Sequence, residues 1–347
     1  MGLLAIGYKL WTVVLPPLCL CVSVAKIGAN QTDIRPYQTN FLNLVPHKRL
    51  HRRRRFLGIQ RANGIGADVD LFHHASLRHR ECLRYPPRMQ LGRIIIFPIK
   101  SLDGVFLESA RFTGGGILEN DRVFAIYDAD GKVVNGKRTA RIHDLRSAFD
   151  PSLHEVRLWL NGQTPQQFQL DQRPPLEKWL SDFFGFPVFL RHEAEKGFPD
   201  DREAFGPTIV SEASLRLIQS WFPDVALESI RRRFRANLEL IGEKPFCEDE
   251  LFGAPGELKP FQLGQVKFFG HNPCQRCVVP TRDPDSAQPT TEFQKKFMQL
   301  RKESLPPWAN AQRFNHFYRF AINTSVPPTE MGKQLCLGDK IEIAPGK

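Results

Sequence analysis

The sequence lacks the features of several special classes of protein. No apolar run reaches the roughly 20 residues that a membrane-spanning helix needs, because the best candidate, residues 10–25, is about sixteen residues long and contains Pro16-Pro17. The 7 cysteines in 347 residues are too few for a disulfide-stapled scaffold. Their odd number and scattered positions favour a reducing compartment in which one or two thiols have a chemical role. Internal repeats and low-complexity segments are absent.

Net charge is also missing from most of the chain. The formal net charge is +11, but residues 1–89 hold 14 Lys and Arg against 4 Asp and Glu, whereas residues 90–347 hold 34 against 33. The main body is therefore nearly neutral, which argues against a basic surface for nucleic acid there. Phenylalanine is abundant, with 27 residues against 5 tyrosines, and this composition predicts a well-filled interior.

The basic charge belongs to an N-terminal extension, residues 1–89. Its apolar stretch 10–25, with Lys9 before it and small residues after it, leaves a signal peptide open. The charge run 46–55 (PHKRLHRRRR) is typical of a solvated linker, and contact with acidic lipid or nucleic acid is the alternative. We expect a cytoplasmic protein, and association with a membrane or organelle through this extension remains open.

Order is predicted to begin at Leu91. Short segments with alternating or continuous apolar residues, separated by turn residues such as Ala129-Asp-Gly131, indicate strands of a sheet closed or nearly closed on itself. A helix is predicted over 174–184, where Pro174-Pro175 precede apolar residues at helical spacing. The predicted strands of this part are 91–97, 105–112, 122–128, 132–134 and 156–160.

A second unit is predicted to start near Pro207. Apolar residues at helical spacing over 212–221 indicate a helix, for which Ser211 and Ser214 are candidate caps. Further strands are predicted at 238–241, 266–269, 278–279, 318–323 and 340–343. The fold class is therefore α+β, mostly β with peripheral helices, and the predicted domains are 1–89, 90–205 and 206–347.

The stretch 271–285 (HNPCQRCVVPTRDPD) carries the strongest chemical signal, a Cys-x-x-Cys pair at Cys274 and Cys277. The pair could be half of a structural zinc site, but the usual second pair is missing, and only Cys247 or His271 could complete four ligands. Two buried structural cysteines are the plainest alternative.

Two chemical interpretations of the pair remain. A redox dithiol usually sits at the N-terminus of a helix, but the β-forming Val278-Val279 follow directly. Alternatively, one thiolate binds a soft, high-valent metal, and the neighbouring Arg276 helps to keep that thiol ionised. Spacing alone leaves these alternatives open.

Four separated segments resemble the MOSC superfamily, in the arrangement of the mitochondrial amidoxime-reducing component and its bacterial relatives. Each matches a family motif in the expected order, and together they span about 250 residues. They are 97–104 (FPIKSLDG), 120–124 (NDRVF), 210–215 (VSEASL) with 233–237 (RFRAN), and 274–277 (CQRC) with Thr281 and 283–285 (DPD).

The resemblance implies a fold, a cofactor and a site. Members of this family have a β-barrel-like N-terminal domain followed by a MOSC β-barrel domain, and they bind a pyranopterin molybdenum cofactor in the cleft between the two. We do not expect a pyridoxal phosphate site. By resemblance, Cys277 is the molybdenum ligand and the catalytic residue, and the cofactor's pterin and phosphate are contacted by Lys100, Ser101, Arg122, Ser211, Arg235 and Asn237.

Each of these residues also has a plain structural interpretation. Lys100 and Arg122 could form exposed ion pairs, Ser211 could be only a helix cap, and Arg235 could belong to a solvated basic face. The chain also departs from the family at Asn135-Gly-Lys-Arg138, which puts the substrate in doubt more than the cofactor.

The implied activity is a molybdenum-dependent oxidoreductase that reduces N-hydroxylated or other N-oxygenated small molecules. The alternative is a protein that carries the cofactor, or a persulfide sulfur on Cys277, without turnover of its own. No cysteine-rich ferredoxin extension follows the fold, so we expect electrons to come from a separate ferredoxin- or cytochrome-type protein.

Overall fold

Strands outnumber helices in this protein. The structure is a computed structural model that describes residues 89–242 and 244–343, so the predictions for segments 10–25 and 46–55 lie outside the described residues. The strands in chain order are β1 (Gln90–Ile96), β2 (Val105–Leu107), β3 (Ser109–Arg111), β4 (Phe124–Asp128), β5 (Leu145–Phe149), β6 (Glu155–Leu160), β7 (Gln166–Gln169), β8 (Val188–His192), β9 (Ile209–Ser211), β10 (Leu238–Ile241), β11 (Lys259–Leu263), β12 (Val266–Gln275), β13 (Arg319–Ser325), β14 (Gln334–Cys336) and β15 (Ile341–Ile343).

Four α-helices accompany these strands in the described ranges. They are α1 (Arg173–Phe184), α2 (Glu212–Trp221), α3 (Leu227–Phe234) and α4 (Phe293–Glu303). Within the described residues, none of these helices combines the length and the hydropathy needed to cross a bilayer. The α+β, mostly β fold predicted from the sequence is confirmed.

The largest sheet has eight strands in the order β15-β11-β12-β13-β9-β10-β1-β2. Only the pair β9 and β10 is parallel. In β1 the apolar side chains of Leu91, Ile94 and Ile96 are buried in the core beneath the sheet. Because β1 bonds to β10, the first described strand joins the sheet built mainly by the second half of the chain.

Residues 124–192 form a smaller part with its own core. Strands β4 and β8 pair with each other, and β5, β6 and β7 form a three-stranded sheet. Helix α1 packs Leu176 and Leu180 into this core and ends at Gly185, whose positive φ of 81° suits a residue without a side chain. The predicted helix over 174–184 is confirmed.

The second half has an aromatic core. Helices α2 and α4 bury Trp221, Phe293 and Phe297 against Phe234 at the end of α3 and Phe320 in β13. The ring centroids of the contacting pairs lie 4.6 to 5.7 Å apart. Aromatic pairs at such distances add stability beyond their buried area. They hold the end of α3 and the start of β13 in place, and both contribute residues to the site.

Three predicted strands differ in the structure, and the one predicted at 132–134 is reduced to a single bridge between Val133 and Tyr127. The strand predicted at 278–279 is wrong, because residues Val279–Thr281 form a 3-10 helix. Pro280 has no N–H for a sheet ladder, and the Thr281 hydroxyl donates to the carbonyl oxygen of Val278 at 2.7 Å. The segment predicted as one strand over 105–112 is two strands, β2 and β3, which belong to different sheets.

Candidate functional site

A cleft with a volume of about 960 Å³ lies between the two halves of the described chain. Ligand pockets usually span roughly 300–1,000 Å³, so the cleft can hold an extended cofactor. The loop after β1 and the segment 196–206 line it, together with the ends of α3 and β12 and the start of β13. Five of the seven residues predicted for the site line the cleft, namely Lys100, Ser101, Arg122, Arg235 and Cys277.

The loop after β1 places Lys100 and Ser101 in the cleft. Ser101 has a φ of 74°, a left-handed backbone conformation that residues other than glycine rarely adopt. Such residues often occur in functional loops. Lys100 is 8% exposed, and its Nζ donates to the carbonyl oxygen of Phe198 at 2.7 Å and pairs with Asp200 at 2.8 Å. Burial lowers the pKa of Lys100, although Asp200 opposes this shift.

Arg122 is held by its neighbours so that its guanidinium faces the cleft. Its Nη1 pairs with Asp121 and also donates to Oδ1 of Asn237 at 3.1 Å. The guanidinium carbon lies 5.1 Å from the centre of the Phe97 ring. Arg122 has a φ of 53°, so backbone, ion pair and ring together restrict where its charge can lie.

Arg235 ends α3 in a left-handed conformation, with φ of 53°. Its guanidinium carbon lies 4.0 Å from the centre of the Phe97 ring, and its Nη2 donates to the carbonyl oxygen of Leu102 at 2.7 Å. Burial and the nearby charge of Arg122 lower the pKa of Arg235 to about 10. The side chain therefore remains a cation at neutral pH, on the same aromatic ring as Arg122.

Asn237 and Ser211 do not line the cleft. Asn237 is 1% exposed and lies behind Arg122, where its Oδ1 also accepts from the backbone N–H of Thr208 at 3.2 Å. Ser211 is fully buried and is the N-cap of α2, with its Oγ accepting from the backbone N–H of Ser214 at 3.2 Å. Asn237 therefore positions Arg122, and the Ser211 hydroxyl caps a helix, as the structural alternative proposed.

The cysteine pair lies at the end of β12, and both thiols are free. Cys274 and Cys277 both line the cleft. Between them, Arg276 donates to Sγ of Cys274 at 3.2 Å and to the carbonyl oxygen of Phe234 at 2.6 Å. The pair therefore sits beside a guanidinium that is held in place by two hydrogen bonds.

A zinc site around the cysteine pair finds no support among the described residues. No three His, Cys, Asp or Glu side chains in residues 89–242 and 244–343 come together as a metal-binding group. Cys247 is buried beside Glu248, and Nε2 of His271 lies 2.8 Å from Oγ of Ser325. A metal bound here through one thiolate would need its other ligands from a cofactor.

The cleft is far more basic than the neutral net charge of residues 90–347 suggests. Thirteen Lys and Arg side chains line it, against five Asp and Glu. Motif reasoning singled out four of these cations, Lys100, Arg122, Arg235 and Arg276. The other nine are Lys137, Arg146, Lys196, Arg202, Arg232, Arg233, Arg282, Arg313 and Arg319.

His143 is a further cleft residue that sequence reasoning missed. It lies in the 3-10 helix Ala140–Asp144, and its Nε2 is buried without a hydrogen-bond partner among the described residues. Burial, together with nearby Arg282 and Arg235, lowers the pKa of His143 to about 4. The one signal near it is the departure from the family pattern at 135–138.

Residues 88–186 match the MOSC N-terminal beta barrel domain, and residues 204–342 match the MOSC domain. A curated relative, the molybdenum cofactor sulfurase of Drosophila grimshawi, is 24% identical over 290 residues. The match covers 74% of this chain and 35% of that protein, so the chain spans about a third of its relative's length.

Solved structures also match this chain, among them the YuaD protein from Bacillus subtilis. That protein is 11% identical, the alignment covers 73% of this chain and 94% of that one, and the TM-score is 0.30.

Proposed function

Because this chain belongs to the MOSC family, with the MOSC N-terminal beta barrel domain followed by the MOSC domain, we propose that it is a molybdenum-cofactor-dependent oxidoreductase. One observation carries the proposal: the cleft gathers a free thiol, Cys277, with an excess of cationic side chains. An anionic, metal-containing cofactor needs a thiolate to bind its metal and cations to balance its negative charge. The proposed domains are 90–205 and 206–347, after an extension of residues 1–89.

The chemistry of the lining residues fits such a cofactor. Lys100 offers a compact charge, and Arg122 and Arg235 offer planar forks suited to a phosphate or to a polar pterin edge. The guanidinium groups of both arginines pack against the same ring, that of Phe97, at 5.1 Å and 4.0 Å from its centre. Charge-assisted hydrogen bonds of this kind contribute about 1.5–3 kcal/mol each.

Cys277 is the proposed protein ligand of the metal. A single soft thiolate suits molybdenum better than it suits zinc, which needs several protein ligands. Arg276, the residue before Cys277, donates to Sγ of Cys274 and to the carbonyl oxygen of Phe234, so its guanidinium is engaged by these two acceptors. When bound, the cofactor would supply oxygen-atom transfer, and the protein holds the cofactor and shapes the pocket.

The proposed substrates are small N-oxygenated molecules such as N-hydroxylated amidines, and the proposed electron source is a separate ferredoxin- or cytochrome-type protein. Both follow from the family resemblance of the motifs around Lys100, Arg122 and Cys277. A cleft of about 960 Å³ leaves room for a small substrate beside a cofactor.

A second candidate function is favoured by the curated relative, which is named a molybdenum cofactor sulfurase. In that case the chain would carry the cofactor, or a persulfide sulfur on Cys277, and deliver it to another protein. Turnover separates the two candidates. The enzyme reduces benzamidoxime repeatedly with a chemical electron donor, whereas a carrier gives no more than one event per protein.

The direct test is Cys277→Ser in protein purified from a host that makes the cofactor. We expect molybdenum content, measured by mass spectrometry of the metal, to fall at least tenfold without loss of the folded state. Cys336→Ser is the matched control, because Cys336 is an exposed free thiol outside the cleft. Full benzamidoxime reduction by the Cys277→Ser protein would exclude the proposed role.

A further inference from the structure

The cations of the cleft fall into two groups. Some pair with a carboxylate within 4.0 Å, as Lys100 does with Asp200 and Arg146 with Asp103. Others have no such partner in the described part of the chain. These unpaired cations are Lys196, Arg202, Arg235, Arg276, Arg282, Arg313 and Arg319.

Three of the unpaired cations, Arg276, Arg313 and Arg319, are connected to the segment that carries the cysteine pair or to one another; we call them the arginine trio. Strand pairing places Arg319 directly opposite Gln275. Arg276 donates to Sγ of Cys274. Arg313 ends the 3-10 helix Ala311–Arg313 just before β13 and also lines the cleft. Burial lowers the pKa of Arg319, Cys274 opposes this shift, and the nearby charge of Arg313 adds to it.

Each guanidinium of the trio is fixed by neutral acceptors. Arg319 donates to Oδ1 of Asn315 at 2.8 Å and to the carbonyl oxygen of Pro273 at 2.9 Å. Arg313 donates to the carbonyl oxygens of Gly253 at 3.0 Å and Glu257 at 3.1 Å. These bonds orient the groups without forming an ion pair, and the carboxylate of Glu257 acts on Arg313 only from beyond ion-pair distance.

Like charges held together in a partly buried cleft repel one another and lose hydration. Such an arrangement is typical of a site whose missing charge arrives with a ligand. In the proposed cofactor site, a phosphate has candidate partners elsewhere in the cleft, because Lys100, Arg122 and Lys137 lie around the carboxylate of Asp200. The trio is therefore a separate group of cations in the same cavity.

We propose that the arginine trio binds a carboxylate or another oxyanion group of the substrate. This inference rests on the proposed function and narrows its substrate class to N-oxygenated molecules that also carry an anionic group. Planar guanidinium forks recognise such groups through paired hydrogen bonds.

The test compares matched substrates on the cofactor-loaded protein. Benzamidoxime and 4-carboxybenzamidoxime differ by one carboxylate, and we expect kcat/KM to be about tenfold higher for the carboxylated molecule. Arg319→Gln should reduce this preference to near one, mainly through KM, and Arg319→Lys should keep part of it. Arg157→Gln is the control, since Arg157 is exposed on β6 and outside the cleft.

A binding measurement keeps the inference separate from the proposed activity. In calorimetry with the same cofactor-loaded protein, benzoate should bind, benzamide should bind at least tenfold more weakly, and Arg319→Gln should remove the difference. If benzoate binds in this way and neither amidoxime is reduced, the proposed function fails and the anion site stands. Equal binding of benzoate and benzamide overturns the anion site.

One further outcome would also overturn it. If Arg319→Gln and Arg313→Gln lower the molybdenum content of the purified protein, the trio serves the cofactor and not the substrate. We expect both variants to retain the wild-type molybdenum content.

Discussion

Lys100 Nζ lies 2.8 Å from Oδ1 of Asp200, and this ion pair joins the loop after β1 to the segment before β9. Enclosure by the cleft would raise the pKa of Asp200, whose side chain nevertheless remains largely exposed, but Lys100, Arg122 and Lys137 outweigh that effect and hold the pKa below its usual range. Asp200 is thus the internal anion of a cationic site, at the position where an anionic ligand would compete with it.

Replacing Asp200 with asparagine should therefore strengthen anion binding. The Asp200 side chain is 64% exposed, and exposed ion pairs contribute about 0.2–1 kcal/mol, so we expect inorganic pyrophosphate to bind the cofactor-free protein about two- to fivefold more tightly. Calorimetry at low salt measures the change. Asp130→Asn, on an exposed turn, is the control, and unchanged affinity in Asp200→Asn would contradict the competition.

The buried amide of Asn237 should matter for both stability and ligand binding. It accepts from Arg122 and from the backbone N–H of Thr208, and it donates to the carbonyl oxygen of Ile95 at 3.0 Å. Asn237→Ala leaves buried polar groups unpaired, so the free energy of unfolding in urea should fall by about 1–3 kcal/mol. Pyrophosphate binding should weaken too, because Arg122 loses its anchor.

A surface amide provides the comparison. Gln163→Ala alters an exposed side chain of the β6–β7 turn and should change neither quantity. An Asn237→Ala protein with wild-type stability would mean that its buried partners find other hydrogen bonds.

The sequence predicted the regular elements well where local pattern decides them. Helices over 173–184 and 212–221 follow from apolar spacing with Pro174-Pro175 and Ser211 at their starts. The apolar pattern gave a wrong prediction where the pairing of strands that are distant in sequence determines the structure. The run 105–112 alternates like one strand, but its two ends bond to different partners, β1 and β14.

The candidate site was predictable only where a motif marks it. Lys100, Arg122 and Cys277 lie in recognisable segments. Arg313 and Arg319 lie in none: Arg319 reaches the cleft because β13 pairs with β12, and Arg313 is held there by its bonds to the carbonyl oxygens of Gly253 and Glu257. A total charge near zero also conceals the basic cleft, because a sum over residues says nothing about where the charges meet.

Ser211 has two interpretations, a helix cap and a cofactor contact, and a substitution can distinguish them. Its hydroxyl caps α2 and is fully buried, so Ser211→Ala should lower the free energy of unfolding by about 1 kcal/mol and leave the molybdenum content per folded protein at the wild-type level. Ser101→Ala is the matched variant inside the cleft, and it should lower the molybdenum content. A loss of metal in Ser211→Ala would restore the predicted cofactor contact.

His143 should make the cofactor-free protein sensitive to acid. Its pKa is about 4 in the folded protein because of burial and the nearby Arg282, Arg235 and Arg146, whereas an unfolded chain titrates near 6.5. Between these values the unfolded state binds more protons, so the free energy of unfolding falls as the pH drops from about 6.5 towards 4. His143→Gln should retain more of its pH 7 stability at pH 4.5 than the wild type does.

Urea unfolding of the cofactor-free protein at pH 7, 6, 5 and 4.5 measures this difference. His154→Gln is the control, because His154 is exposed and lies outside the cleft, and its pH dependence should match that of the wild type. If His143→Gln and the wild type lose stability in parallel, the imidazole must already be protonated, or paired with an acceptor, in the folded protein. Either outcome would mean that His143 is not a neutral, unpaired imidazole among the cleft arginines.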